Sequence, residues 1–282
     1  MSSEEIVYHY TSIDALINIL KPDENQKICF WASHVEFMND PDEYTFIFSL
    51  LKPSILKYEK DYGKTQELSK NLPENIGDRL LRLAPGPPFL LSLSNLENDL
   101  FMWRTYGAEG SGVSIGLDKN ILLNEIDPKD GLNYNPNSFF RYCSYDKENN
   151  IKTMSDYWQS IYDALPGFIE HGRIEGKYFW RFLKLILNHC FSFKHKSYSY
   201  EQECRVCKYE HRPEEINYRV KNGVVIPYSH IYFSKDVIRR IWIGPSVNAE
   251  MSKKAILLLL KTYGYDFDES FVQVSKIPYR NL

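Results

Sequence analysis

Apolar positions recur along this chain in short runs, and the runs predict strands and helices in mixed order. Ile13, Leu16, Ile17 and Leu20 fall at helical spacing behind the extended pair Val7-Tyr8. Thr11 suits the N-cap of that helix, and Asp14 three residues on completes a capping-box pattern. A strand is expected from Ile28 to Ala32, a turn at Phe37-Met38-Asn39-Asp40-Pro41, and a helix over 42–60 interrupted at Pro53. Residues 61–86 are polar and partly helical, and Pro85-Gly86-Pro87-Pro88 forces a loop. Leu91 and Leu93 then alternate with Ser92 and Ser94 in a strand. A short helix over 99–106 carries Met102, Trp103 and Tyr106, and Val113, Ile115 and Leu117 alternate through the next strand.

Residues 120–150 read as loop with a short strand from Tyr142 to Tyr145. Two helices are expected over 151–192, the second presenting Phe179, Phe182, Leu183, Ile186 and Cys190 on one face. Strands follow over 199–208, 226–233 and 237–243. A helix over 249–263 closes at Gly264, and a last strand covers 271–275. The succession lacks the regular alternation of a doubly wound sheet, so the expected class is α+β with a mostly antiparallel or split sheet. No repeat and no long linker interrupts it, and residues 1–282 read as a single domain with a helical insertion.

Composition narrows the function. The chain is 43% hydrophobic, enough for a sizeable core, and holds 21 Tyr, 16 Phe and 5 Trp. Its net charge of −3, from 34 basic and 37 acidic residues, argues against a dedicated nucleic-acid binder. Five cysteines without a framework, and an acidic start unlike a signal peptide, point to a reducing, cytoplasmic setting. The longest apolar run, Ala255 to Leu260, is too short to span a bilayer. Gly-x-Gly-x-x-Gly, phosphate-loop and Gly-x-Ser-x-Gly motifs are absent, which disfavours ordinary dehydrogenase, ATPase and serine hydrolase readings.

Two distant stretches carry chemistry. On a strand from Glu201 to Cys207, alternation places Glu201, Glu203 and Arg205 on one face. Such carboxylates can transfer a proton or stabilise a developing cation; the alternative is an ordinary ion pair. The other stretch is Tyr8-His9-Tyr10-Thr11-Ser12, just before a helix, where an imidazole can meet a ribose hydroxyl and a tyrosine can stack on a planar ring. Ser92 and Ser94 suit a pocket floor or an exposed face. Met102, Trp103 and Tyr106 suit a pocket wall or the core, and Asn39, Asp40 and Glu43 a capped turn or a ligand contact. Lys194, His195, Lys196, Arg205 and Lys208 form a basic cluster, read as a solvated face or an approach for phosphates. Cys204 and Cys207 have half a zinc spacing, but a strand points them to opposite faces, so no metal site is expected.

These blocks resemble the bacterial family called domain of unknown function 2971. The likeness runs through Tyr8 to Ser12, Phe37 to Pro41 with Glu43, Leu91 to Ser94, Met102-Trp103 with Tyr106, Gly112 to Asp118, Tyr200 to Glu203 with Arg205, Ile241 to Pro245, and Ser275 to Arg280. Residues 146–195 fit least and look like a family-variable helical insertion. More remotely, the order of a His strand, a Ser-x-Ser strand and a Glu-x-Glu strand is similar to that of ADP-ribosyltransferases. That resemblance implies a split sheet around an NAD cleft and an NAD-dependent glycosyl transfer. Glu203 would be the catalytic carboxylate, with Glu201 beside it. His9, Tyr10, Thr11, Ser92, Ser94, Trp103, Tyr106 and Arg205 would hold NAD, the substrate, with Tyr10 or Tyr106 stacked on nicotinamide. It further implies an acceptor that is nucleic acid, protein or water, and a role in antiviral defence or as a toxin. A non-catalytic nucleotide- or nucleic-acid-sensing module and a structural, partner-binding protein are the alternatives.

Overall fold

The computed structural model describes residues 5–42, 45–76, 86–126, 138–159, 161–164, 189–210, 212–246 and 248–279. Strand β1 (Ile6–Thr11) leads into helix α1 (Ile13–Leu20), but the cap differs from expectation. Thr11 stays in the strand, paired with Val113, and Ser12 accepts from the Ala15 amide at 3.2 Å instead. Strand β2 (Lys27–His34) precedes α2 (Phe46–Asp61), which runs straight through Pro53. An internal proline costs a helix about 3 kcal/mol. The buried face of α2, with Ile47, Leu50, Leu51, Ile55 and Tyr58, offsets that at about 1.5–3 kcal/mol for each large side chain.

Helix α3 (Glu67–Asn71), strand β3 (Pro88–Ser94), helix α4 (Leu100–Thr105) and strand β4 (Val113–Asp118) follow. Where a loop was expected, α5 (Lys119–Ile126) forms, capped by the Asp118 carboxylate on the Asn120 and Ile121 amides. Strand β5 (Ser138–Tyr142) lies earlier than the expected 142–145, because its partner β6 (Glu203–Tyr209) sets the register from Ser138↔Lys208 to Tyr142↔Cys204. Helix α6 (Lys147–Trp158) starts at an Asp146 cap, four residues before the expected start. Cys190 is buried in the core beside it, while Phe179, Phe182, Leu183 and Ile186 of the second expected helix lie outside the described residues.

Strands β7 (Ile216–Lys221) and β8 (Val224–Ser234) form a hairpin, of which only part of β8 was foreseen. Its turn, Asn222-Gly223, has φ of 51° and 76°, the pair of positive values that a tight hairpin turn requires. Strand β9 (Ile238–Ile243), helix α7 (Ala249–Thr262) and strand β10 (Val272–Val274) complete the described chain. No described helix is long and apolar enough to cross a membrane.

The ten described strands join one open, mostly antiparallel sheet in the order β10-β9-β4-β1-β3-β2-β8-β7, with β6 on β3 and β5 on β6; among them only β10 and β9 run parallel. Strand alternation sends side chains to two cores. Leu91, Leu93, Cys204 and Val206 pack with α1, α5 and α7 on one side. Leu90, Cys207 and Tyr209 pack with α2, α6 and residues 190–193 on the other.

The sheet branches at β3. One edge of β3 pairs with β6 along its whole length, from Pro88↔Tyr209 to Ser94↔Glu203. The other edge is shared. Strand β2 takes Phe89 and Leu90, and β1 meets it at Tyr8↔Ser94. Across Leu91 to Leu93 neither strand pairs, so β1 and β2 diverge and leave a gap.

The β1–β4 pairing holds one wall of that gap, and Gly112 lets the end of β1 close on it. A Cβ there would overlap the Thr11 carbonyl oxygen and fall 2.8 Å from the Gly107 oxygen. Gly112→Ala is expected to lower stability by about 1–3 kcal/mol, as backbone overpacking does. Urea unfolding at neutral pH measures it; a change near zero would refute the close approach.

Candidate functional site

A cavity of about 940 Å³ fills the gap. Its walls are β1 with the start of α1, strand β2, the open edge of β3, the end of α4, and the β7–β8 hairpin. His9, Thr11, Ser92, Tyr106, Glu201 and Glu203, from four separate stretches of sequence, line this one space.

His9 sits at the branch. Its Nδ1 lies 3.0 Å from the Ser92 carbonyl, an acceptor on the stretch of β3 that neither β1 nor β2 pairs. A carbonyl only accepts, so Nδ1 carries the proton and Nε2 is left as an acceptor. Burial pulls the pKa of the imidazole down; the Ser92 carbonyl raises it and Arg219 lowers it again. The ring also packs edge-on against Phe30 at 5.5 Å. The Ser92 hydroxyl is buried with no hydrogen-bond partner among the described residues.

Opposite lies the acidic pair, arranged differently from the expected strand. Glu201 ends a 3-10 turn over Lys196–Glu201, and Gln202 adopts left-handed backbone at φ 43°, so β6 begins only at Glu203. The kink, rather than strand alternation, brings both carboxylates onto the Lys194 ammonium, at 2.8 Å from Glu201 and 2.7 Å from Glu203. The Arg205 Nε and Nη2 add bonds of 2.9 and 2.8 Å to Glu203. Glu201 takes the Tyr106 hydroxyl at 2.5 Å, and Asn39 donates to that hydroxyl at 3.0 Å. Burial opposes the charge of Glu203, but Arg205 and then Lys194 outweigh it and hold the carboxyl at about 2. Burial, then Glu201, push the Tyr106 phenol well above its ordinary range.

Several expected site residues serve elsewhere. Tyr10 lines the cavity, but it is buried edge-on against Trp103 at 4.9 Å and donates to the Leu96 carbonyl, which ties its ring into a small core. Trp103 is fully buried and donates to Asn98. Ser94 is buried too: it donates to the Glu201 carbonyl at 2.6 Å and so fixes the acidic turn. Arg205, 0% exposed, holds Glu203 from behind. The expected basic face is therefore not a face, since Lys194 and Arg205 are interior and Lys208 pairs with Glu210. Asp40 caps its own turn at Asp42, and Glu43 lies outside the described residues. Cys204 and Cys207 fall in opposite cores. Among the described residues no cluster of His, Cys, Asp and Glu is suited to a metal ion.

Sequence reasoning missed Lys194 as the bridge between the acids. It also missed Trp31, Phe37 and Arg219, which line the cavity. Trp31 and Arg219 could have been found from the alternation of β2 and from the Asn-Gly hairpin signal.

Residues 102–206 match the family described as Protein of unknown function (DUF2971), which supports the family resemblance over that stretch. The stretch includes Tyr106, Glu201, Glu203 and Arg205. No curated protein and no solved structure matches the chain. Fold and site together define a mixed α/β protein with a mostly antiparallel open sheet and a cavity of about 940 Å³ lined by both a buried acidic pair and a histidine whose pKa burial lowers.

Removing Lys194 leaves Glu203 with Arg205 and takes from the buried Glu201 the ammonium that pairs with it. Lys194→Met is expected to destabilise the fold by about 3–5 kcal/mol. Urea unfolding at pH 7 tests this, and a loss under about 1 kcal/mol would contradict the buried network. Because the folded pKa of Glu203 is depressed, its stabilising effect is present above the unfolded value near 4.5 and disappears as pH falls towards about 2. The stability deficit of Glu203→Gln should therefore shrink across that window; a deficit unchanged from pH 7 to pH 2.5 would rule out the paired carboxylate.

Proposed function

We propose that the cavity binds NAD and that the protein is an ADP-ribosyltransferase-like enzyme or NAD-consuming effector. One observation carries the reading: His9 and the Glu201–Glu203 pair, 192 and 194 positions away, line the same cavity in a mostly antiparallel sheet. A volume of about 940 Å³ suits a ligand larger than a single nucleoside.

Cleaving the nicotinamide–ribose bond builds positive charge on the ribose ring. A carboxylate fixed beside that carbon stabilises the charge without reorganising. Glu203 suits this role as a permanent anion, because a carboxyl at about 2 keeps no proton to donate at neutral pH. Glu201, tied to the Tyr106 hydroxyl, holds a polar edge that can accept from a ribose hydroxyl. His9 accepts from the second ribose through Nε2. The acceptor of the ADP-ribosyl group is water, a protein or a nucleic acid.

A second reading rests on a specific observation. Both oxygens of Glu203 are already engaged by Arg205 and Lys194, which offsets the negative potential offered to a cation. A nucleotide-sensing module would use the same cavity with this network as scaffold.

Incubation with nicotinamide-labelled NAD separates them. For the enzyme, Glu203→Gln should cut nicotinamide release by about 100-fold or more while NAD still binds. His9→Ala should weaken NAD binding by about tenfold. NAD binding without release in the wild type, under any acceptor, supports the sensor; no NAD binding at all refutes both.

A further inference from the structure

We infer that the hairpin end of the cavity is an anion subsite, where Arg219 and Lys221 take the phosphate groups of the ligand. This deepens the proposed function and shares its cavity, but it requires no bond cleavage.

Alternation puts Arg219 and Lys221 on one face of β7, and both line the cavity. The Arg219 guanidinium lies 5.8 Å from the Trp31 ring and 5.9 Å from the Tyr228 ring, which stack on each other at 4.5 Å. Its Nη2 donates to the Ser33 hydroxyl at 2.7 Å. Its Nε is buried with no partner, and no carboxylate among the described residues pairs with it. The contrast with the acidic end is sharp. There Lys194 and Arg205 are neutralised by Glu201 and Glu203; here a half-buried cation has aromatic faces and a hydroxyl but no counter-charge among the described residues.

A guanidinium withdrawn from water without an anion is destabilising, and a half-buried one is best explained by a ligand that brings the charge. Phosphate oxygens match the planar fork of arginine. Lys221 is exposed at the rim beside the Asn222-Gly223 turn, where it adds a second positive charge. The unpartnered Ser92 hydroxyl on the floor offers a further donor in the same cavity. The cavity thus carries unbalanced positive charge at the hairpin, while the wall with Glu201 and Glu203 is neutralised by Lys194 and Arg205. A dinucleotide fits that order: phosphates at the hairpin and a sugar that turns cationic near the acids.

Calorimetric titration of the purified full chain with inorganic pyrophosphate, ADP-ribose and adenosine tests the subsite. Wild-type protein should bind pyrophosphate and ADP-ribose. Arg219→Gln should weaken both by about tenfold or more, and leave adenosine affinity within about twofold. Because Arg219 also holds Ser33, Lys221→Gln serves as the second variant: its side chain is exposed, and it should weaken pyrophosphate about threefold without moving the melting temperature. Absence of pyrophosphate binding at millimolar concentration, or unchanged affinity in Lys221→Gln together with an unchanged or unfolded Arg219→Gln, overturns the inference. Pyrophosphate binding through Arg219 with no nicotinamide release keeps the subsite and removes the enzyme reading. NAD cleavage indifferent to Arg219→Gln does the reverse.

Discussion

Four buried charges hold the candidate site together. Lys194 bridges Glu201 and Glu203, and Arg205 braces Glu203 from behind, so two cations meet two anions with no net charge. Each ion would cost several kcal/mol to bury alone, and mutual pairing is what makes the interior position tolerable. The network ties three stretches: the segment ending at Lys194, the 3-10 turn ending at Glu201, and β6. Ser94 adds a bond from β3 to the Glu201 carbonyl, and the Tyr145 hydroxyl accepts from the Glu203 amide. The acidic wall is therefore rigid before any ligand arrives, which is the condition for electrostatic catalysis and equally for selective binding.

The second constraint is the branch in the sheet. The edge of β3 that faces away from β6 has two neighbours, β1 and β2, and neither covers Leu91 to Leu93. An uncovered strand edge leaves backbone groups that need partners. The His9 imidazole meets one of them, the Ser92 carbonyl. The same bond fixes the tautomer, and burial keeps the ring neutral. One local need of the backbone thus presents an acceptor nitrogen to the cavity. The aromatic residues divide by role in the same region. Tyr8, Tyr10, Met102 and Trp103 form a small core, of which the first three reach the cavity wall, while Trp31 and Phe37 remain partly exposed at the cavity.

Much of this was legible from the sequence where local pattern decides. The alternation of Leu91 to Ser94, the helical stripe of Ile13 to Leu20 and the strand at Val113 to Leu117 all appear at nearly the expected positions. The mostly antiparallel sheet follows from the same pattern. Errors arose where tertiary contacts override it. Pro53 is carried inside α2 by its buried face, Thr11 is kept extended by β4, and β5 is placed by its partner β6. At the site, the types were legible but the partners were not. Lys194 and Arg205 read as surface charges because no local signal tells a buried cation from a solvated one. Glu201 and Glu203 converge through a left-handed Gln202, a conformation that glutamine does not advertise.

A crystal structure of the protein with ADP-ribose tests the central claim most directly. The account predicts the ligand in the gap between β1 and β2, with one ribose within hydrogen-bond reach of His9, the diphosphate at Arg219 and the free anomeric end towards Glu201 and Glu203. Ligand bound outside this gap, or within it in an orientation that leaves His9 and the acid pair untouched, would contradict it.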